Sequence, residues 1–498
     1  MITKVFGPPG SGKTTFLLNV VEKELADNTL SSQIGYFSFT RKAAGEARDR
    51  AIQKFPSLNA ETDFPWFRTL HSLAYHCLGA GSQDLMSPQD YAIFAKETGL
   101  EVTTSLEGDE YIVRADNAIL NEINIARIRG IDLRVHYNRS KMDIEWFYFE
   151  FVERAYRKFK EAHMLMDFTD LLERLIEQGE RLPALDVLIV DEAQDLSRLQ
   201  WKLVMKLSEK ADRTFIAGDD DQAVYTWSGA DVESFLTCKG EVKILEQSYR
   251  VPAKIHFLAN SIVKRIQKRQ EKIWAPRQEQ GEIKYYNQFE QVDISKGQWL
   301  VMASTNYMLS EMHAWIRNQG LLFERQGHRS IAESVLTSVV GWERLRKGQS
   351  ISYDVLKQVY KNLPASSVKR GFKSLRHADP EGLYDMAELT ANQGLLTDAV
   401  WHEALTKIGE DKRDYLISVL RRGAKLGDKP LIELSTIHGA KGGEADNVLL
   451  LTDLSPKFAE DYAKNADDIN RLLYVAVTRT RQSLHIVLPK NEERGFRF

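Results

Sequence analysis

Short apolar runs alternate with helical patterns along the chain. Thr3 to Phe6 predicts a buried strand that leads into a glycine-rich loop, and Thr15 to Leu25 has the apolar spacing of a helix. Residues 186–190 (DVLIV) predict a second buried strand, which ends in the acidic run 191–195 (DEAQD). Buried strands that alternate with amphipathic helices are typical of α/β domains with parallel sheets.

Length and composition limit the kinds of protein that this chain can be. Its 498 residues exceed what one hydrophobic core holds, so several packed units are expected. The net charge of −3 gives no overall basic field, and a polyanion would therefore need a local basic groove. Cys77 and Cys238 are too few for a disulfide framework or a four-ligand zinc site. No apolar stretch reaches the ~20 residues that span a bilayer, so we expect a cytoplasmic protein without membrane contact.

The glycine-rich loop, residues 7–14 (GPPGSGKT), fits the phosphate-binding pattern G-x-x-x-x-G-K-[ST]. Its glycines let backbone N–H groups converge on phosphates, Lys13 adds a positive charge, and Thr14 offers a hydroxyl to Mg²⁺. The alternative is a glycine-rich turn that opens an unrelated helix. The predicted nucleotide-binding residues of this loop are Gly7, Pro8, Gly10, Ser11, Gly12, Lys13, Thr14 and Thr15.

The acidic run supplies what a phosphate loop alone lacks. Asp191 is expected to hold Mg²⁺, and Glu192 is expected to orient and deprotonate the attacking water. An acidic run of this kind also occurs as a simple helix cap. The preceding phosphate loop favours a nucleotide-hydrolysing site that uses ATP and Mg²⁺.

Further blocks follow in a fixed order along the chain. They are residues 37–44 (FSFTRKAA), 69–72 (TLHS), 166–172 (MDFTDLL), 218–230 (GDDDQAVYTWSGA), 245–250 (LEQSYR), 436–444 (TIHGAKGGE) and 471–479 (RLLYVAVTR). In this order they resemble motifs Ia and Ib, the LDFDDLL segment and motifs III to VI of the UvrD, Rep and PcrA group of superfamily 1 helicases.

The resemblance implies an α/β protein with two RecA-like motor domains, each a parallel sheet with flanking helices. Each motor domain is expected to be interrupted by a mainly helical accessory insertion. The implied ranges are 1–80 and 166–250 for the first motor domain, 81–165 for its insertion, 251–327 and 429–498 for the second motor domain, and 328–428 for a second, reduced insertion.

The resemblance also implies one ATP site held between the two motor domains. The implied catalytic residues are Lys13, Glu192, Gln222, Arg250 and Arg479. Gln222 is expected to sense the γ-phosphate, while Arg250 and Arg479 stabilise its charge. Tyr249 is expected to stack on the adenine, and Glu444 to contact the ribose. In this scheme Thr14 and Asp191 hold Mg²⁺.

A second set of residues points to a nucleic-acid strand. Phe39, Tyr225 and Trp227 are expected to stack on unpaired bases, although core packing is the alternative for any aromatic residue. The polar and basic groups expected at the phosphodiester backbone are Thr40, Arg41, Lys42, Thr69, His71, Thr436 and His438. Such contacts position a strand without reading its sequence.

A helical pattern over residues 253–268 carries Lys264, Arg265 and Lys268 away from its apolar side. The pattern fits a track for DNA and a solvated helix face equally. Both interpretations stay open at this stage.

The motifs together predict an ATP-dependent 3′-to-5′ translocase and helicase that acts on single-stranded DNA and 3′-tailed duplexes. A role in replication or repair, with an unidentified protein partner, is expected. Two alternatives stay open: an ATP-gated strand-binding remodeller without processive unwinding, and an RNA-directed helicase. Ser228 replaces an arginine that is usual in the family, and residues 1–6 contain no glutamine segment of the kind that reads adenine.

Overall fold

The structure is a computed structural model that describes residues 1–39, 41–56, 59, 62–102, 104–106, 113–115, 118–140 and 142–498. Thr40, which was predicted to contact the phosphodiester backbone, lies outside the described residues. The chain divides into two compact units. Unit 1 comprises residues 1–280, 461–478 and 498, and unit 2 comprises residues 281–460 and 479–497.

The elements alternate as the apolar pattern predicted. The strands are β1 (Ile2–Phe6), β2 (Ile34–Ser38), β3 (Phe67–Thr69), β4 (Thr104–Leu106), β5 (Val113–Ala115), β6 (Val187–Asp191), β7 (Arg213–Gly218), β8 (Glu241–Ile244), β9 (Glu282–Tyr286), β10 (Trp299–Ala303), β11 (Phe323–Arg325), β12 (His328–Arg329), β13 (Ile351–Ser352), β14 (Leu383–Tyr384), β15 (Ile432–Thr436), β16 (Ala445–Leu451) and β17 (Thr480–Val487).

The helices are α1 (Lys13–Ala26), α2 (Arg41–Lys54), α3 (Leu70–Leu78), α4 (Pro88–Thr98), α5 (Ala118–Arg129), α6 (Leu133–Ser140), α7 (Trp146–Ala162), α8 (Phe168–Glu177), α9 (Arg198–Lys210), α10 (Val232–Thr237), α11 (Ala253–Val263), α12 (Ser310–Asn318), α13 (Glu333–Arg346), α14 (Tyr353–Asn362), α15 (Met386–Asn392), α16 (Trp401–Ala404), α17 (Glu410–Arg421), α18 (Pro456–Lys464) and α19 (Ala466–Val477).

Unit 1 is built on a parallel six-stranded sheet in the order β3-β2-β6-β7-β1-β8. Strands β2 and β6 are buried along their whole length, as is typical of parallel strands covered by helices on both faces. The phosphate loop follows β1 and the acidic pair lies at the end of β6. Because the strands are parallel, both come to the carboxyl edge of one sheet.

Helices α4 to α7 and the antiparallel hairpin β4–β5 lie within the range predicted for the first insertion. The apolar faces of the helices form a separate core that includes Phe94, Ile123, Phe149 and Val152, all at most 2% exposed. A core of its own makes this part of the chain more than a long loop on unit 1.

Residues 251–280 belong to unit 1, whereas the predicted boundary between the motor domains lay near residue 250. Helix α11 packs against α19, which also belongs to unit 1. The chain after α11 is held by the Asp220, Asp221 and Asp467 carboxylates. These packing and ion-pair partners lie far from residues 251–280 in the sequence, so the local pattern did not reveal them.

The helix predicted over residues 253–268 is shorter in the structure and ends at Val263. The backbone N–H groups of Gln267 and Lys268 donate to the Asp467 carboxylate at 3.0 and 3.2 Å. These N–H groups therefore do not form the backbone hydrogen bonds of a helix. The prediction of a continuous helix was wrong at its carboxyl end.

Unit 2 contains a seven-stranded sheet in the order β12-β11-β15-β10-β16-β17-β9. Its pairs are parallel except for β11–β12. Helices α13 to α17 lie within the range predicted for the second insertion and share one apolar core with this sheet, through residues such as Val301, Trp342 and Leu416. The predicted α/β class, with two parallel sheets and flanking helices, is confirmed.

Among the described residues, every helix is too short or too polar to cross a membrane.

Candidate ATP and nucleic-acid sites

The phosphate loop closes tightly between β1 and α1. Helix α1 begins at Lys13, directly after Gly12, whose φ of 78° is left-handed. Gly10 is also left-handed, and a Cβ atom there would lie 2.3 Å from Cβ of Arg250. Only glycine allows both the conformation and this close approach. Arg250 therefore lies directly against the phosphate loop.

The groups of the loop fit a polyphosphate. Lys13 Nζ donates to the Gly7 carbonyl at 3.0 Å and lies 4.0 Å from Glu192 Oε1. Ser11 Oγ is buried and has no hydrogen-bond partner among the described residues, which leaves it available to a phosphate oxygen. Pro8 accepts from the Ser11 N–H at 3.1 Å, and Thr15 lies in the first turn of α1.

The acidic pair stands at the end of β6. Asp191 Oδ2 accepts from the Tyr36 hydroxyl at 2.8 Å and lies 3.4 Å from Thr14 Oγ1. Burial and the neighbouring Glu192 carboxylate raise the pKa of Asp191 above its ordinary value. A carboxylate and a hydroxyl at this spacing are the donor set that Mg²⁺ uses beside a triphosphate.

Segments distant in the sequence meet this edge of the sheet. The Tyr249 N–H donates to the Gly10 carbonyl at 2.8 Å, and the Tyr249 side chain is 73% exposed. Gln222 is buried, and its Nε2 donates to Asp219 Oδ2 at 2.7 Å. The first unit thus holds Lys13, Glu192, Tyr249 and Arg250 at or beside the phosphate loop. Gln222 is connected to Glu192 by hydrogen bonds through Asp219 and Gln194.

The remaining predicted nucleotide contacts lie in unit 2. Arg479 is buried and donates to the Gly443 carbonyl at 3.2 Å. The adjacent Glu444 pairs with Arg481 at 2.8 Å. The predicted pair Arg479 and Glu444 is therefore brought together within this unit.

Two predicted DNA contacts also belong to unit 2. Thr436 Oγ1 accepts from the Gly439 N–H at 3.1 Å, which shapes the turn after β15. The His438 ring packs near Phe458, with 6.2 Å between ring centroids.

Six of the predicted DNA contacts line one cavity of about 470 Å³ in unit 1. They are Phe39, Arg41, Thr69, His71, Tyr225 and Trp227. Phe39 and Tyr225 are stacked with their centroids 5.6 Å apart, while Trp227 is 52% exposed. An exposed ring beside a stacked pair is a surface on which bases can stack.

The polar residues of the cavity have more specific environments. The Thr69 hydroxyl accepts from the Ser72 N–H at 3.2 Å and so caps α3. Burial, followed by the charge of Arg41, lowers the pKa of His71 to about 4. His71 is therefore neutral at physiological pH and interacts as a hydrogen-bonding group.

Several residues of the site were not predicted from the sequence. Tyr36 binds Asp191, Gln194 Nε2 donates to Glu192 at 2.5 Å, and Gln194 Oε1 accepts from the Asp219 N–H at 3.0 Å. Tyr36 lies in a continuous apolar strand, where its pattern is that of a core residue. Gln194 stood within the acidic run, and its position there was the one available signal.

Two regions of the chain match known families. Residues 2–243 match the UvrD/REP helicase N-terminal domain, and residues 406–491 match the UvrD-like helicase C-terminal domain. The first region contains the phosphate loop and the acidic pair, and the second contains the two blocks near the carboxyl end.

Individual relatives agree with these matches. DNA helicase II of Haemophilus influenzae is 29% identical over 340 residues, which is 64% of this chain and 45% of that protein. DNA helicase II of Escherichia coli is 28% identical over 344 residues, with the same coverage of 64% and 45%. The ATP-dependent DNA helicase PcrA of Bacillus subtilis is 27% identical over 298 residues, 56% of this chain and 39% of that protein. The chain spans less than half the length of each of these relatives.

A solved structure of an arterivirus helicase, nonstructural protein 10 with DNA, aligns with this chain at 10% sequence identity and a TM-score of 0.33. The alignment covers 99% of this chain and 62% of the arterivirus chain. A similarity this low carries no argument about the fold. The family assignment rests instead on the matched regions and on the two parallel sheets of the RecA-like type. This chain belongs to the UvrD/Rep family of helicases.

Proposed function

We propose that this chain is an ATP-dependent motor that moves along single-stranded DNA from 3′ to 5′ and unwinds duplex DNA without sequence preference. One observation carries the proposal. Residues 218–230 contain Gln222, which hydrogen bonds connect through Asp219 and Gln194 to Glu192, and, a few positions later, Tyr225 and Trp227 in the wall of the cavity. A structural change at the nucleotide can therefore be transmitted to the bound bases through this short stretch of the chain.

The ATP site supplies the chemistry of this proposal. Bound Mg²⁺, held by Thr14 and Asp191, would neutralise charge on the β- and γ-phosphates. Lys13 binds the same phosphates, and Glu192 accepts a proton from the attacking water. The 4.0 Å separation of Lys13 and Glu192 supports this division of roles.

The remaining nucleotide contacts of the proposal come from residues of both units. Arg479 and Arg250 would stabilise the charge of the transferred phosphoryl group, and Glu444 would contact the ribose. Tyr249, with its exposed ring, would stack on the adenine. Binding and hydrolysis of ATP would then drive each step.

The cavity in unit 1 supports single-stranded DNA as the ligand. Stacking on Tyr225 and Trp227 tolerates any base, and the polar groups around them suit a phosphodiester backbone. The names of the relatives, DNA helicase II and the DNA helicase PcrA, also favour DNA over RNA. We expect the affinity for single strands to fall as the salt concentration rises.

The cellular setting follows from the same proposal. Cys77 and Cys238 are both free thiols, which fits a reducing cytoplasm. A protein partner from replication or repair would load the motor.

Strand-displacement assays test the proposal directly. The chain is incubated with ATP and with duplexes that carry a 3′ tail, a 5′ tail or a 3′ RNA tail, and Glu192→Gln serves as the inactive control. We expect displacement of the 3′-tailed DNA duplex alone. DNA-stimulated ATP hydrolysis without displacement would indicate a strand-binding remodeller, and preference for the RNA tail would indicate an RNA-directed enzyme. Absence of DNA-stimulated hydrolysis would overturn the proposal.

A further inference from the structure

A lysine from outside the predicted motifs is buried against the three aspartates that precede Gln222. The Lys272 side chain is 0% exposed, and its Nζ lies 3.0 Å from Asp219 Oδ1 and 2.8 Å from Asp221 Oδ2. Asp220 also pairs with it. Burial alone would lower the pKa of Lys272, but the three aspartates raise it above its ordinary value. The lysine therefore stays charged. A charge buried this deeply persists only with such partners.

The aspartate nearest the phosphate loop links this lysine to two predicted catalytic residues. Asp219 Oδ2 accepts from Gln222 Nε2 at 2.7 Å. The Asp219 N–H donates to Gln194 Oε1 at 3.0 Å, and Gln194 Nε2 donates to Glu192 Oε2 at 2.5 Å. Continuous hydrogen bonds thus join the buried ammonium to the predicted γ-phosphate sensor and to the predicted general base.

The segment after α11 is fixed so that Lys272 keeps this position. Arg269 forms two hydrogen bonds with Asp221, at 2.8 and 2.7 Å. The Gln270 N–H donates to Asp220 at 2.7 Å, and Arg471 donates to the Lys268 carbonyl at 2.6 Å. A bidentate arginine and two backbone contacts leave the lysine little freedom to move.

We propose that Lys272 is a positioning residue for ATP hydrolysis, which holds Asp219 so that Gln222 and Glu192 are aimed at the γ-phosphate. The inference rests on the proposed function, because it assigns these two residues to the hydrolytic step. It adds to the site a residue that touches neither nucleotide nor water. Groups that orient a catalytic residue in this way typically change activity about 10- to 100-fold when removed.

If Lys272 had a purely structural role, it would stabilise the fold without orienting Gln222 or Glu192. The two roles differ in what a substitution changes. Loss of orientation lowers kcat and leaves nucleotide binding intact, because Lys13 and the loop still hold the phosphates. Loss of fold lowers the melting temperature and removes all activities together.

The test compares Lys272→Met with Lys160→Met in the full-length chain. Lys160 is also a buried lysine held by two carboxylates, Asp167 and Asp170, and it lies outside the ATP site. We expect both variants to melt at lower temperature. At a temperature where both are folded, Lys272→Met should lose about 10- to 100-fold in kcat for ATP while its affinity for a fluorescent ATP analogue changes less than about threefold. Lys160→Met should retain the kcat of the parent without DNA.

Two further variants keep the inference testable if Lys272→Met does not fold. Adding Asp220→Asn to Lys272→Met restores the local charge balance but not the contact with Asp219. We therefore expect recovery of the melting temperature and not of kcat. Gln194→Leu breaks the connection to Glu192 without leaving a buried charge, and it should also lower kcat at unchanged ATP affinity.

The outcomes separate this inference from the proposed function. Equal kcat in Lys272→Met and the parent, or full recovery of kcat on adding Asp220→Asn, would show that Lys272 acts only on stability. Unchanged kcat in Gln194→Leu would remove the connection to Glu192. If the parent itself does not hydrolyse ATP in response to DNA, the proposed function fails and the inference falls with it.

Discussion

Glu192 has a left-handed backbone conformation, which is unusual for a residue other than glycine. Its φ of 54° lies in the left-handed region, immediately after β6 ends at Asp191. Non-glycine residues adopt this conformation at a cost and tend to do so where function requires it. The turn directs the Glu192 carboxylate toward Lys13, 4.0 Å away.

Glu192→Gln tests the assignment of the general base. Glutamine fills the same space but cannot accept the proton from water, so we expect turnover to fall by about 10²- to 10⁴-fold. Binding of ATP should persist, because Lys13 and the loop are intact. Lys13→Ala, measured beside it, should abolish turnover and weaken binding. Normal hydrolysis in either variant would remove the site assignment.

His71 offers a test that depends on pH. Its pKa of about 4 means that the folded protein binds this proton less readily than the unfolded chain, whose histidine titrates near 6.5. The stability that this difference contributes is present above pH 6.5 and is lost as the pH falls toward 4. Thermal melts from pH 4.5 to 7.5 should therefore show a smaller acid-induced loss for His71→Gln than for the parent. Parallel curves would contradict the low pKa.

Trp227 separates strand binding from nucleotide chemistry. Its exposed ring lines the cavity, and loss of one stacking platform typically costs about 1–3 kcal/mol of strand affinity. Trp227→Ala should weaken single-strand binding by this amount and leave ATPase activity without DNA unchanged. Phe147→Ala is the control, because Phe147 is also exposed but lies on α7 outside the cavity lining. Equal affinities in parent and Trp227→Ala would make Trp227 a structural residue.

The residues that the sequence predicted share one property. A short local pattern of strand, loop and helix predicts the roles of Lys13, Asp191 and Glu192. Tyr36 and Lys272 do not, because each acquires its role from a partner far away in the chain. Such contacts exist only after the elements have packed.

At the scale of elements, one charge cluster joins the first insertion to unit 1. Arg127 on α5 pairs with Asp167, Asp170 and Glu173 at 2.7, 2.5 and 2.6 Å. Asp167 also caps α8 by accepting from the Asp170 N–H. The block that resembles the LDFDDLL segment is thus where the insertion attaches.

Arg127→Met tests this attachment. Removing Arg127 leaves Lys160 to pair with Asp167 and Asp170 and takes this partner from Glu173, so we expect the free energy of unfolding to fall by about 1–3 kcal/mol. Arg154→Met is the matched control, since Arg154 and Glu150 form an exposed pair on α7, which is typically worth about 0.5 kcal/mol or less. Chemical denaturation of both variants gives the comparison. Equal losses would mean that the cluster does not stabilise the insertion.

Local patterns predicted the buried strands of unit 1 closely. Strands β1 and β6 were correct to within a residue at each end, because a buried parallel strand is a continuous apolar run. The motor-domain boundary near residue 250 stays a prediction, while residues 251–280 group with unit 1 and pair with Asp220 and Asp221. Electrostatic pairing across distant segments leaves no periodic signature.

At the scale of the whole molecule, two α/β units each have a sheet and a core of their own. The phosphate loop belongs to one unit and Arg479 to the other. In the proposed function, hydrolysis requires residues of both units.

Arg479→Ala tests that dependence. An arginine supplied to a transferring phosphoryl group typically raises its rate by about 10³- to 10⁵-fold, so we expect a loss of this order in kcat. Affinity for ATP should change far less, because the loop in unit 1 holds most of the phosphate contacts. Arg317→Ala, on α12 of the same unit and bonded to the Asp411 carbonyl, should behave like the parent. If Arg479→Ala also retains the parental kcat, unit 2 gives no cation to the reaction, and nucleotide hydrolysis would have to be explained by unit 1 alone.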